Sequence, residues 1–344
     1  MKNKLLLFNS LIGLLIFLIV ACNSTTTKET KATTTTAIAD NRPKTEADFL
    51  LDYLVKTGDY VNTRQFPSMI KAPTVLENLD KKMLVLDIRE AEQYKKGHIK
   101  GAKNIEFSKL PDYFVKDIKP FQYDKIVLVC QYGQKSGYAT ALLRLMGYGN
   151  VYSMRWGMAS WNAAQAGTEN WNKILSDKFT AQLDTLTYKR GAESVFPELK
   201  TGKTDGAEIF RERVKILFEQ GLPDVWLNAE QVFAAKDKYY IINYDRKDKY
   251  ESGHIPGAIR YKPNGLLGIP SEMLSIPADK DLVVYCETGQ NSAFVAAYLR
   301  LFGYKARSLA YGNNSFMYDK MKKETALGWT AFTPEQAYNY PVVK

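Results

Sequence analysis

The chain has 344 residues, 45% of them hydrophobic and 24% charged, a balance that excludes a disordered or fibrous protein and suffices for about two domains, each with its own core. The formal net charge is +10, but the basic residues are scattered without a basic arm or an Arg-rich helix, which excludes nucleic-acid binding and leaves anionic lipid or acidic partners open. Cys22, Cys130 and Cys286 are the only cysteines and His98 and His254 the only histidines, each isolated, so the sequence offers no metal cluster and no cofactor motif.

In chain order, residues 1–4 carry Lys2 and Lys4 and residues 5–20 are mostly apolar, the pattern of an export signal too short for a spanning helix. The following Ile19-Val20-Ala21-Cys22 resembles the lipobox of bacterial lipoproteins. That resemblance implies a signal peptide at 1–21, lipidation of Cys22 and a membrane anchor on the exported side, where several acyl chains hold stably. Residues 22–45, rich in Thr, Lys and Ala without apolar periodicity, read as a disordered tether with a reach of roughly 25 Å.

Shifting the chain against itself by about 156 residues superimposes Tyr94, Gly97, His98, Ile99, Gly101 and Ala102 on Tyr250, Gly253, His254, Ile255, Gly257 and Ala258. The same shift lays Cys130, Gly133, Gln134 and Ser136 on Cys286, Gly289, Gln290 and Ser292, and it continues to Tyr148 and Tyr304. An offset held this long is a duplication. Amphipathic stretches at 48–61 and 207–220 open the repeats, and a pattern-free Lys, Thr and Gly cluster at 201–206 separates them, giving domains at 46–190 and 203–344.

Within each repeat, short apolar runs at 83–88, 125–129 and 151–154, and again at 239–244, 281–285 and 306–309, alternate with helical segments that contain 141–146 and 296–302. Alternation of this kind predicts an α/β fold: two tandem domains, each a small parallel sheet flanked by helices. Ligands of such sheets bind beyond the carboxyl ends of the strands.

Both cysteines stand at that end, where Cys130-Gln131-Tyr132-Gly133-Gln134-Lys135-Ser136 and Cys286-Glu287-Thr288-Gly289-Gln290-Asn291-Ser292 lead from strand into helix. There the helix dipole and unused amides favour a thiolate, and the glycine lets successive N–H groups curl around sulfur. A disulfide needs alpha carbons within about 7 Å, which equivalent loops of separate domains do not provide, so two free thiols are expected. The histidines belong to Gly-His-Ile turns and read as structural, and Trp156, Trp161, Tyr311 and Phe316 read as core or pocket wall.

Asp87-Ile88-Arg89, Glu92, Tyr94 and residues 97–102, with the Cys130 loop and Leu145-Met146-Gly147-Tyr148, resemble the two halves of the rhodanese signature; residues 253–258 and the Cys286 loop repeat it. The resemblance covers most of the chain after the tether. It implies a sulfurtransferase in which cysteine takes a sulfane sulfur from a small donor such as thiosulfate and passes it to a thiol or other acceptor. Residues 131–136 and 287–292 would cradle the donor, with Asp87 and Arg89 in support.

Departures separate the two loops. Many relatives carry Arg where Lys135 and Asn291 stand; Lys135 keeps the charge and Asn291 loses it, while Asn243 replaces the acid equivalent to Asp87 and Glu287 adds a negative charge beside the second loop. Electrostatics favours Cys130, although in tandem rhodaneses the carboxyl-terminal domain is usually the active one. The alternative is a non-catalytic binding or redox-sensing module. A phosphatase or arsenate reductase of related fold is excluded by the shorter loop and its missing Arg. Donor, acceptor and oligomeric state are left open by the sequence.

Overall fold

The computed structural model describes residues 42–167 and 171–344. The signal-like segment, Cys22 and all but the last residues of the tether lie outside the described residues, and Pro43–Lys344 forms one compact unit. Among the described residues no helix is long and apolar enough to cross a membrane.

Each repeat builds a five-stranded, fully parallel sheet. In the first, β1 (Met69–Ile70), β2 (Met83–Asp87), β3 (Lys103–Asn104), β4 (Lys125–Val129) and β5 (Val151–Met154) lie in the order β1-β5-β4-β2-β3. In the second, β6 (Trp226–Leu227), β7 (Tyr239–Asn243), β8 (Ile259–Arg260), β9 (Asp281–Tyr285) and β10 (Ala306–Leu309) repeat that order. The inner strands β4 and β9 are apolar runs buried on both faces, as parallel strands flanked by helices must be. Four edge strands of two residues each escape the sequence reading because they are too short to show any period.

The long helices are α1 (Glu46–Lys56), α2 (Gln134–Leu145), α3 (Gly206–Gln220) and α4 (Gln290–Leu301). A reciprocal capping box between Thr45 and Asp48 starts α1, and Asp205 caps α3 through the N–H of Glu208. The amphipathic stretch expected to run to residue 61 stops at Lys56, where Thr57 and Gly58 lead into Asp59 in the left-handed region at φ 45°.

The repeats do not keep separate cores. One apolar cluster runs from Leu50, Leu54 and Leu142 of the first repeat into Phe210, Phe294 and Leu299 of the second, joined where α2 crosses α4. At the crossing a β-carbon on Gly137 would stand 3.0 Å from the Phe294 ring, so the missing side chain admits the aromatic one. Phe294 then meets Phe66 edge-on at 5.7 Å.

The chain also exchanges its tails. The segment around residues 176–184, which the sequence assigns to the first repeat, packs on the second: Asp184 bridges the backbone of His254, and Phe179 stacks on Phe233 at 4.1 Å. Reciprocally, the last residues return to the first repeat. Val343 bridges His98, Trp161 Nε1 donates to the Pro341 carbonyl at 2.9 Å, and Asn162 Nδ2 donates to that of Tyr340. Each repeat is thus closed by the segment that follows the other.

Ending the chain after Gln336 strips that cover from Trp161 and the Gly97-His98 turn. Urea denaturation should report a loss of about 3 kcal/mol, the cost of uncovering one large aromatic; an unchanged midpoint would show that the returning tail contributes nothing.

Candidate functional site

The Cys130 loop begins where β4 ends. Gly133, at φ 86°, turns the chain into α2, and the Cys130 carbonyl accepts from the N–H of Met158 at 2.9 Å. That contact brings Gly157 against the loop so closely that a β-carbon there would lie 2.2 Å from the Cys130 carbonyl oxygen. Sulfur is met by the N–H of Gly133 at 3.1 Å and of Ser136 at 3.3 Å, with Ser136 Oγ at 3.3 Å and Ser153 Oγ behind it. Donors converging in this way suit an atom that carries negative charge.

A cleft opens on this sulfur, lined by Arg89, Gln93, Lys96, Gln131, Lys135 and Gln165 among others. Three of those side chains are cationic. Arg89 is pinned by a buried two-pronged pair with Asp87, Nη2 to Oδ2 at 2.6 Å and Nε to Oδ1 at 3.0 Å, and it reaches Gln131 Oε1 at 3.3 Å. Asp87 therefore orients Arg89 from below, while Lys135 stands half-exposed at the wall. Tyr132 packs on Tyr311 of the other repeat at 5.1 Å, and burial followed by the neighbouring Cys130 pushes its phenol up to about 12, keeping it neutral.

Gln134 and Gln290 sit elsewhere than a donor cradle. Both are fully buried, and each side chain crosses to the opposite repeat: Gln290 Oε1 accepts the N–H of Trp156 at 2.8 Å, and Gln134 lies against Gly289. A β-carbon on Gly133 would come 2.5 Å from Gln290 Oε1, so glycine is required there by its positive φ and by the other repeat's glutamine.

The Cys286 loop has the same backbone in a different setting. Sulfur accepts from the N–H of Ser292 at 3.3 Å, the thiol is 3.6 Å from Ser292 Oγ, and Thr288 Oγ1 lies at 4.0 Å. Gly289, at φ 73°, caps α4, and Ser292 joins Ser308 at 2.8 Å as Ser136 joins Ser153. Over this loop, Lys249 closes on Glu287, and the Lys249 side chain is 3% exposed. Lys249 also donates to the Gly328 carbonyl at 3.0 Å, and the second oxygen of Glu287 takes the N–H of Thr330. Asn291 does not join the sulfur's hydrogen bonds; it lines a different cleft.

Glu287, expected to be the acid that burdens the second thiolate, is engaged by Lys249. The acid that acts on Cys286 is Asp245, which holds the N–H of Glu287 at 3.1 Å; burial first and Asp245 second push the Cys286 thiol up. Asp245 and Lys249 were missed by sequence reasoning, although the repeat offset places them on Arg89 and Gln93. A buried cation in one site has become a buried acid in the other. Both histidines stay in their turns, each stacked on a tyrosine four residues earlier, and burial lowers the His254 imidazole so that it stays neutral.

The family model for the rhodanese-like domain matches residues 71–164 and 228–319, more than half of the chain. Thiosulfate sulfurtransferase GlpE of Pseudoalteromonas translucida is 33% identical over 97 residues, covering 28% of this chain and 89% of the relative. Putative sulfur carrier protein YrkF of Bacillus subtilis is 26% identical over 119 residues, 34% of this chain and 63% of the relative. Among solved structures, a rhodanese-related protein from Thermoplasma volcanium is 30% identical over 27% of this chain and 88% of its own, with a TM-score of 0.24.

Burial, with Glu287 as the next cause, pushes the Asp245 carboxyl up to about 8 from an ordinary 3.8. Between those values the folded state holds a proton that the unfolded chain has released, so stability falls as pH rises from about 4 to about 8. Asp245→Asn removes that titration. Asn313 Nδ2 donates to Asp245 Oδ2 at 3.3 Å, and a turn of the Asn313 amide would present its unpartnered Oδ1 to the new amide instead. Denaturation midpoints from pH 5 to 8 should become flatter, with a gain over the parent chain that grows by up to about 1.4 kcal/mol per pH unit; an unaltered pH slope would refute the assignment.

Proposed function

The chain belongs to the rhodanese-like domain family, and from that premise we propose that it is a sulfurtransferase whose working cysteine is Cys130. The observation that carries this reading is the difference between the two sulfurs. Both sulfurs are buried, but Cys130 is met by two backbone N–H groups and borders an open cleft bearing Arg89, Lys96 and Lys135, whereas Cys286 lies beneath a Lys249–Glu287 pair.

In the proposed cycle the Cys130 thiolate attacks the sulfane sulfur of a small anionic donor such as thiosulfate. The new S–S bond forms as the donor's own S–S bond breaks, and sulfite departs with the electron pair. The outer sulfur of the resulting persulfide is then taken by an acceptor thiolate, which returns Cys130 as thiolate. No external oxidant is consumed. Gly133 and Ser136 N–H groups support negative charge on sulfur, and the cationic wall receives the donor's oxygens.

The second repeat fits a non-catalytic role, which its sealed loop favours: it supplies Tyr311 beside Tyr132, and Gln290 behind the Cys130 loop. The same reading places lipid on Cys22 and the domains on the exported side of a membrane. That part is tested by labelled fatty-acid incorporation, which Cys22→Ser should abolish.

Incubation with thiosulfate should add the mass of one sulfur atom to Cys130 and none to Cys286. In a thiosulfate-to-cyanide assay Cys130→Ser should lose all turnover and Cys286→Ser keep it, while Lys135→Gln lowers kcat/KM roughly tenfold. Activity that survives Cys130→Ser and disappears with Cys286→Ser would overturn the assignment.

A further inference from the structure

A second cleft shares no lining residue with the one over Cys130 and is bordered by Arg64, Lys71 and Arg155 of the first repeat and Asn291 of the second. Its floor is fixed. Phe66 is 3% exposed and is met edge-on by Tyr60, Tyr244 and Phe294, while Asn264 Nδ2 of the second repeat donates to the carbonyls of Thr63 and Phe66 at 2.6 and 2.5 Å. The backbone N–H of Arg155 is held by the Ile70 carbonyl at 2.8 Å. Three cations that a loose surface would scatter are therefore carried around one opening by backbone that both repeats hold in place.

Among the described residues, none of these three side chains has an ion pair or a hydrogen bond. Arg155 is half-buried, and burial pushes its guanidinium down, opposed by the charges of Glu287 and Cys286. Glu287 is itself held by Lys249 and makes no contact ion pair with the cations of the cleft. A partly desolvated guanidinium without a partner is costly, and two oxygens of one anion match its planar fork. Asn291 has a buried Oδ1 without a partner, and a turn of its amide would offer an N–H there instead.

We propose that this cleft is a second oxyanion site, formed by Arg64, Lys71 and Arg155 against Asn291, that takes a small tetrahedral anion of the sulfate or phosphate kind. It is independent of sulfur transfer at Cys130. The site belongs to the interface, since the cations come from one repeat and the amide and the floor-holding Asn264 from the other.

The test is calorimetric titration of the full chain carrying Cys130→Ser with inorganic sulfate, which keeps failure here distinct from failure of the sulfurtransferase reading. Saturable binding is expected that is weakened at least about tenfold by Arg155→Gln and by the exposed-residue change Lys71→Gln and unmoved by Lys135→Gln, distinct from any sulfate taken by the cationic wall over Cys130, which Lys135→Gln weakens. Thermal melts of each variant confirm that the fold persists. Absence of saturable binding, binding that survives both substitutions, or binding lost only with Lys135→Gln overturns the proposal. Phosphatidylglycerol vesicles form the second arm: capture by vesicles with no response to free sulfate overturns the small-anion reading in favour of a lipid headgroup.

Discussion

The packing of α2 against α4 is the contact on which the rest depends. Both helices start at a cysteine loop, so bringing them together fixes the two loops relative to each other before any side chain of the sites is considered. Gly137 permits the approach, Phe294 fills the space, and Gln134 and Gln290 then cross into the opposite loop. A cysteine loop in this chain is consequently a two-repeat object. Its inner wall is the neighbour's glutamine and its outer boundary includes the neighbour's tyrosine, so neither repeat could lose the other and keep the same site.

On that shared frame, a few substitutions decide the chemistry. The backbone of the two loops is nearly the same: glycine caps of similar φ, a serine N–H on each sulfur at 3.3 Å, and a serine pair at 2.8 Å behind. What differs is charge. Arg89 over Asp87 in the first repeat becomes Asp245 over Asn243 in the second, and Gln93 and Gln131 become Lys249 and Glu287. The first set pairs Arg89 with Asp87 and leaves the cleft its cations unpaired among the described residues, Lys96 and Lys135. The second set spends its one cation on an internal pair and leaves a carboxyl so desolvated that it keeps its proton past neutrality. A duplicated loop can therefore retain its shape, which is set by backbone and glycine, after the charges that suit it to an anion have gone.

The sheet strands, the duplication and the position of both cysteines were legible because each leaves a periodic or repeated mark. The strands at 125–129, 281–285, 151–154 and 306–309 begin and end as the apolar runs do. The exchanged tails were not legible. Residues 176–184 carry no alternation; Tyr338, Tyr340 and Val342 do alternate with Asn339, Pro341 and Val343, but so short a run at the chain's end does not say which repeat it covers, and the partners, His254 and His98, are named by tertiary contact alone. The role of Glu287 was misread for a related reason: a charge next to a cysteine in sequence was counted against that cysteine, but the side chain points to Lys249 from another element. Asp245 was within reach, since the offset that aligned the cysteines aligns it with Arg89.

Exchange of tails and crossing of glutamines have a common physical consequence. Each converts what would be a weak contact between two small domains into closure that both need, because a parallel sheet of this size leaves one end uncovered and a loop beside a helix terminus leaves amides to satisfy. Covering those with the partner repeat makes the fold of each repeat depend on the other, whatever chemistry its own loop carries. The second repeat therefore has two settings in one fold: a Lys249–Glu287 pair lies over its own cysteine, while its Gln290 and Tyr311 shape the loop around Cys130.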